Sequence, residues 1–472
     1  MQIKPYSFSA VIIAAALLLN GCKRRPTTTF ESLKDETIST QLKSFVAEKE
    51  AQANSATNKM RPEFRTFFAA AQRGDWLTVS NMFWDLGRRT GHFEGNGHPD
   101  YNLRGTQWEA AKEIWGAFDG FFVGDKKYSS AYAREIIDSI PAGGIYFGGG
   151  DPGRFLVTAL QKSHVNADPF FTLTQNALCD SNYLEYARVM YGGKIYVPGW
   201  DESERCYREY MTDAQRRLKE NKLNLGEDVR EVDGRIQASG QISVMIINGL
   251  LAKVIFDKNP NREFYLEESF PIDWMYPYIE PHHLIMKINR EPLAELSDEI
   301  VRRDRDYWTK LVVPMIGDWL NEDTSVKTIA AFAEKVFLRH DFEGFSGDRR
   351  FVLNGYAHNM FSKERSAIGK LYLWRLGIPA HGGQTPSQYL VKDETERQRM
   401  IRAADLAYRQ SWALCPYSPE AVYCYVAFLT NQNRFEEATL VVDTTLKFPS
   451  DPQTKSQFQD LANRLHQYLQ KN

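Results

Sequence analysis

"SIPAGGIYFGGGDPGRFLVTAL", residues Ser139 to Leu160, carries the reading of the fold. Its "GGIYFGG" is short, aromatic, β-branched and bounded by glycine, which is the composition of a strand. "RFLVTALQKSH" follows with helical spacing, so strand, glycine-rich turn and helix succeed one another. The same succession recurs downstream. "ADPFFTLTQNALCD" reads as a second strand, "SNYLEYARVMYG" as a second helix and "KIYVPG" as another short strand. "REFYLEESF" and "HHLIMKIN" supply two more strands around the aromatic turn "PIDWMYPYIEP". Strands alternating with helices predict a central α/β domain over 136–295, with a mostly parallel sheet covered on both faces. Inside it, "DESERCYREYMTDAQRRLKENKL" predicts a long polar helix. "SGQISVMIINGLLAKVIFDKNP" is apolar on nearly every face and predicts a buried one.

Helical regions flank this domain. Over 60–135, Phe64, Phe67, Phe68 and Ala71, then Trp76, Val79, Phe83 and Leu86, have three-and-four spacing broken at Gly74-Asp75, the mark of a helical hairpin. In the loop that follows, His92, Glu94, His98 and Asp100 have ligand chemistry, but their spacing matches no metal frame. Residues 296–376 are helical again, with Trp308, Val312, Ile316 and Trp319 on one stripe, and "GIPAHGGQTPSQ" reads as a boundary. The tail, 385–472, holds a repeat signature. Ala404, Tyr408, Ser411 and Pro416 have the spacing of the second helix and closing proline of a tetratricopeptide unit. "SPEAVYCYVAFLTNQNRFEEATLVVDTTLKFPSDP" fits one complete unit. Isolated repeats cannot bury their faces, so this α-helical, tetratricopeptide-like tail is expected to pack on the helices before it and to offer a surface to a protein partner.

The amino terminus predicts where the chain goes. Lys4 and the ten-residue apolar run Ala10 to Leu19 make 1–21 a signal peptide, too short to cross a hydrocarbon core of ~30 Å. Leu19-Asn20-Gly21-Cys22 resembles a bacterial lipobox, which implies lipidation of Cys22 and attachment to a membrane through that lipid. Lys23 stands where an Asp would favour the inner membrane, so the outer membrane is the expectation. Residues 22–59 read as a polar tether, with one helix around Gln41 to Gln52. A formal net charge of −2 and the lack of a large basic block give no reason to propose nucleic acid. The four cysteines after Cys22 are Cys179, Cys206, Cys415 and Cys424. They stand as free thiols or as the sequence-near pairs Cys179–Cys206 and Cys415–Cys424.

A glycine-rich loop entering a helix exposes backbone N–H groups where the helix dipole favours an anion. The glycines form neither G-x-G-x-x-G nor a G-K-[ST] loop, so no nucleotide, cofactor or metal is called for. The plainer reading is a turn, with Gly148 to Gly150 free to take positive φ, Asp151 capping the helix and Pro152 at its first position. In an open α/β sheet ligands gather at the carboxyl ends of the strands. That rule makes Gly149, Gly150, Asp151 and Arg154 candidate ligand-binding residues. Asn176 and Asp180 join them after the second strand, and Asp273 and Trp274, with Glu268, after a later one. Carboxylates, an arginine and aromatics suit a glycan or a polar peptide.

"GGIYFGGGDPGRFLVTALQ", "DPFFTLTQNAL…NYLEYARVMYG" and "REFYLEESFPIDWMYPYIEPHHLIMKIN" resemble the extracytoplasmic part of a bacterial family of multi-spanning membrane proteins. That family is of unknown function, is related to protein O-mannosyltransferases, and its members often end in tetratricopeptide repeats. Asp151 matches the first acid of the family's G-D-N-D-type turn, and Pro152 and Gly153 depart from it. The match covers Ile136 to Arg290, and the membrane portion that would hold glycosyl transfer is absent. The resemblance therefore implies a soluble accessory domain. The expectation is a lipid-anchored extracytoplasmic binding or scaffold protein of the bacterial envelope, with no identifiable reaction. The alternative is a carbohydrate-active enzyme, or a glycosyl-transfer accessory subunit, using acids at the sheet rim.

Overall fold

The computed structural model describes residues 36–55, 59–93, 98–149, 152–224, 226–232, 234–267, 273–378 and 385–471. The chain is mostly helical, with a small mixed sheet of five strands. It divides into two units, residues 36–223 with 227–267, and residues 273–471 with Asn224 and Gly226.

The first unit opens with α1 (Glu36–Ser55), α2 (Pro62–Gln72), α3 (Trp76–Arg89), α4 (Thr106–Val123) and α5 (Lys126–Ser139). The hairpin of α2 and α3 turns where the sequence breaks. Gly74 takes φ +71°, and the Asp75 side chain accepts from the Thr78 N–H at 3.1 Å to cap α3. α1 contains the helix expected around Gln41 to Gln52, but it is part of the folded unit and not of a tether. It buries Ile38, Leu42, Phe45, Val46 and Ala53, and it packs against α4. Next come β1 (Ile145–Gly148), a π-type turn (Pro152–Leu156) leading into α6 (Val157–Leu160), then β2 (Phe171–Thr174) and α7 (Ser181–Tyr191). α8 (Trp200–Lys219), β3 (Asp228–Val232), β4 (Arg235–Ser239), α9 (Gln241–Lys258) and β5 (Phe264–Leu266) complete the unit.

β1 pairs in parallel with both β2 and β5, with Phe147 opposite Leu173 on one side and Leu266 on the other. All three strands are buried along their length, as apolar runs in a parallel sheet should be. The strands as a set are mixed rather than mostly parallel, because two later ones, in the second unit, pair antiparallel with each other. "KIYVPG" is not a strand. At its centre a side chain stands in for a neighbouring strand: Asn259 Oδ1 accepts from the Tyr196 N–H at 2.8 Å and Asn259 Nδ2 donates to the Tyr196 carbonyl at 3.0 Å. A hairpin that the reading passed over, β3 with β4, turns at Gly234 (φ +73°). It also explains α9, which is buried on one side only. Ile246, Ile247 and Leu250 of α9 pack with Tyr210, Ala214 and Val229 beside the hairpin, while Val244 is exposed.

The second unit starts with β6 (Ile279–His282) and β7 (Ile285–Ile288), paired antiparallel, and continues as helices. These are α10 (Asp298–Ile316), α11 (Val326–Phe332), α12 (Arg349–Val352), α13 (Gly355–Arg375), α14 (Glu394–Leu414), α15 (Pro419–Asn431), α16 (Phe435–Thr445) and α17 (Pro452–Lys471). α13 is buried over nearly its whole length and packs most heavily on α14. Close approach is set by small residues: a Cβ on Gly369 would lie 2.8 Å from the Tyr408 ring. Arg365 of α13 donates to both Asp304 oxygens of α10, at 2.9 and 2.8 Å, and to Gln410 of α14 at 2.7 Å. One buried ion pair thus ties three helices.

His358, 2 % exposed on α13, lies among the rings of Phe337, Phe351 and Tyr417. Burial pushes it down to about 3. The folded state therefore holds it neutral, while the unfolded chain protonates near its ordinary 6.5. Its contribution is whole above that value and falls as the pH drops toward the folded one. Between pH 7 and pH 5 the wild type should lose about 2 kcal/mol through this ring, and His358→Phe should be flatter by that amount in urea unfolding at the two pH values. Equal pH slopes for the two proteins would refute the assignment.

Candidate functional site

Parallel pairing brings the carboxyl ends of β1, β2 and β5 to one edge. The residue after β5 is Glu267, 1 % exposed. Its Oε2 accepts the Gly149 N–H at 2.7 Å and its Oε1 accepts the Tyr132 hydroxyl at 3.0 Å, while its own N–H donates to the Phe147 carbonyl at 3.0 Å. A Cβ on Gly153 would stand 2.0 Å from Glu267 Cδ. The glycine-rich loop does cradle an anion, and the anion is the chain's own carboxylate. Its glycines act through room more than through conformation. Gly148 and Gly153 do not take positive φ, and Gly148 admits the Arg154 backbone, whose Cα would lie 3.3 Å from an added Cβ. Glu268, the acid expected after this strand, lies outside the described residues, as do Gly150 and Asp151.

Arg154 is half-buried, with its guanidinium carbon 4.3 Å from the Phe155 ring centroid. Its Nε and Nη2 are buried and have no hydrogen-bond partner among the described residues. Glu109 of α4, 1 % exposed and with Lys112 Nζ at 2.7 Å, feels the charge of Arg154. Burial raises the Glu109 carboxyl above its ordinary range, against the pull of Lys112 and then of Arg154, and Asp180 adds to the rise. Asp180 caps α7, accepting from the Asn182 N–H at 2.9 Å. His92 belongs to the same electrostatic neighbourhood. Burial pushes it down to about 4, helped by Lys112 and Arg104 and opposed by Asp180. It sits against the Thr90 hydroxyl at 2.8 Å and stacks on Trp108, and Asp100 pairs with Arg61 at 3.4 Å, so these two serve local structure.

Asn176 donates to the Gly149 carbonyl at 2.9 Å, and its own carbonyl accepts from Asn248 Nδ2 at 3.1 Å. It braces the loop. The edge therefore brings together Gly149, Arg154, Asn176 and Asp180, and adds Glu109 and Lys112, which the reading missed. Glu109 stands directly beside the core tryptophan Trp108, with Lys112 and Glu113 on the same helix face, and that adjacency is the signal the sequence carries. Asp273 and Trp274 belong to the second unit. The four cysteines after Cys22 are free thiols.

A second polar centre of the first unit is fully buried. Lys49 Nζ of α1 lies 2.7 Å from Glu113 Oε2, 2.6 Å from His164 Nδ1 and 2.8 Å from the Tyr186 hydroxyl oxygen, and Tyr186 donates to Glu113 at 2.7 Å. Burial alone would raise Glu113, but the Lys49 ammonium at 2.7 Å outweighs it and holds the carboxyl low. Burial also lowers His164, which stays neutral and accepts from Lys49. The place of His164 in this centre explains why the helix after the loop stops at Leu160 and does not run on to it.

No protein-family model, curated protein or solved structure matches the chain. Among the described residues no helix is long and apolar enough to cross a membrane.

Proposed function

We propose that this chain is a lipid-anchored binding protein of the bacterial envelope, whose first unit takes a hydroxyl-rich or acidic ligand, a glycan or polar peptide, at the edge around Arg154. One observation carries the ligand site: two guanidinium N–H groups of Arg154 are buried and have no acceptor among the described residues, within the electrostatic neighbourhood that Arg154 shares with Glu109 and Asp180. Buried donors of a charged group are costly to leave unpaired, and a ligand oxygen would meet them. The cradle itself is filled by Glu267, so the ligand would meet side chains and not the loop's backbone. The helical pairs α14 to α17 support reading the tail as a tetratricopeptide-like surface for a protein partner, with Ala438 fully buried on α16.

Arg154→Met keeps the apolar stem over Phe155 and removes the donors. In calorimetry against neutral sugars, sugar phosphates and acidic peptides, the variant should lose about 1.5–3 kcal/mol of binding to whichever compound the wild type takes, with its melting temperature unchanged. Wild-type binding to none of them, with early melting of the variant, would make Arg154 a structural residue. The anchor reading rests on the apolar run and Cys22 of the sequence. Cys22→Ser should abolish labelled-palmitate incorporation and move the protein to the soluble fraction, and an unlabelled wild type would refute it.

A further inference from the structure

α10 and α14 of the second unit face each other across a cleft of 270 Å³, whose apolar lining is Val301, Ala403 and Leu406. Five arginines and three carboxylates line it. Three of the arginines are accounted for. Arg365 is held by Asp304 at 2.8 Å, Arg399 pairs with Asp298 and donates to the Leu296 carbonyl at 3.0 Å, and Arg305 reaches Glu322 at 3.4 Å. Arg302 and Arg402 are exposed and make no hydrogen bond or ion pair among the described residues. A third unmet donor is Nε of Arg399, which is buried and has no partner among the described residues. The two helices each present arginines three residues apart, 302 and 305 on one side, 399 and 402 on the other. Unmet positive charge therefore arrives at one concavity from both walls.

A solvated helix face would also carry exposed arginines, but it would not set them around a cleft with partly apolar walls. Low-dielectric walls concentrate the field of charges that line a cleft. Guanidinium forks match carboxylate and phosphate oxygens. Three donors approaching from two helices suit a tetrahedral oxyanion, whose oxygens point in different directions, better than a planar carboxylate. The surplus of two guanidinium groups over carboxylates suits a dianion. Val301, Ala403 and Leu406 would cover a small apolar body.

We propose that the cleft between α10 and α14 binds a small phosphomonoester, with Arg302 and Arg402 as its principal contacts. The test is calorimetry on the purified protein with inorganic phosphate, phenyl phosphate, benzoate and phenol at low ionic strength. Phenyl phosphate should bind saturably and more tightly than inorganic phosphate, benzoate at least tenfold more weakly, and phenol not at all. Arg302→Gln and Arg402→Gln should each weaken phenyl phosphate about tenfold with melting temperatures unchanged. Lys310→Gln, an exposed cation of α10 that does not line the cleft, should have no effect. The proposal is overturned if neither phosphate probe binds saturably. It is overturned equally if benzoate matches phenyl phosphate, if Lys310→Gln weakens binding as much as Arg302→Gln, or if the Arg302→Gln/Arg402→Gln double variant binds like the wild type.

Discussion

Lys49→Met should destabilise the first unit by about 3–5 kcal/mol, the range for removing one partner of a buried ion pair. The ammonium is completely buried and meets Glu113, His164 and Tyr186 together. Methionine fills much of its volume, so the loss comes from charge more than from packing. It leaves Glu113, 3 % exposed, with only the Tyr186 hydroxyl donating to it and a neutral imidazole nearby. Removing the second charge should return most of the loss. Lys49→Met/Glu113→Leu should be closer to wild type than Lys49→Met, because a buried pair and a well-packed apolar replacement are often nearly equivalent. The pH response gives a second signature. In the wild type Glu113 lies below its ordinary 4.5, so its contribution is present above that value and is lost only as the pH falls through the depressed folded one. Without Lys49 burial dominates and raises the folded value, and stability is then lost as the pH rises through it. The deficit of Lys49→Met relative to wild type, read by urea unfolding, should therefore shrink from pH 7 to pH 5. A deficit under about 1 kcal/mol, or one that grows on acidification, would show that the ion pair does not hold α1.

That pair also shows where the sequence stops being legible. Ile38, Leu42, Phe45, Val46 and Ala53 have helical spacing, but a lysine sits on their stripe and the segment as a whole is polar. A charged residue at an inward position reads as solvent-facing until its partner is known, and Glu113 lies far along the chain on α4. The strands β1, β2 and β5 were legible, because a parallel strand buried on both faces is apolar at successive positions. Their order and the antiparallel hairpin of β6 and β7 were not, since pairing direction leaves no mark in composition. "KIYVPG" has strand composition, but Asn259 meets its backbone in place of a neighbouring strand. The β3–β4 hairpin carried a usable signal, Asp233-Gly234 between alternating residues, which is a strong turn dipeptide. Of the candidate site, the edge was legible from the rule that ligands gather at strand ends. Which acid would fill the loop was not, because Glu267 and Glu268 are the same residue type at adjacent positions and composition does not separate them.

Gly153→Ala should destabilise the first unit by about 3–5 kcal/mol, far more than glycine-to-alanine at the start of a helix ordinarily does. The added methyl would sit 2.0 Å from Glu267 Cδ and 2.2 Å from both carboxylate oxygens. The carboxylate must leave the Gly149 N–H and the Tyr132 hydroxyl, forfeiting two hydrogen bonds to a charged group, each worth about 1.5–3 kcal/mol. Glu267→Ala should cost a similar amount, since it strands the same donors and opens a cavity. In that background Gly153→Ala should cost little, because the methyl enters the space the carboxylate left. Such a cycle departs from additivity by most of either single effect. The single variant Glu267→Ala should also be rescued in part by millimolar formate, which can re-enter the cradle as a free anion, while the wild type gains nothing. The two experiments separate the roles open to the loop. If the losses add and formate is inert, Glu267 merely packs beside a turn. If they do not add and formate stabilises, the loop is an anion site that folding itself has filled, and any ligand of the first unit must be read by Arg154 and the acids around it.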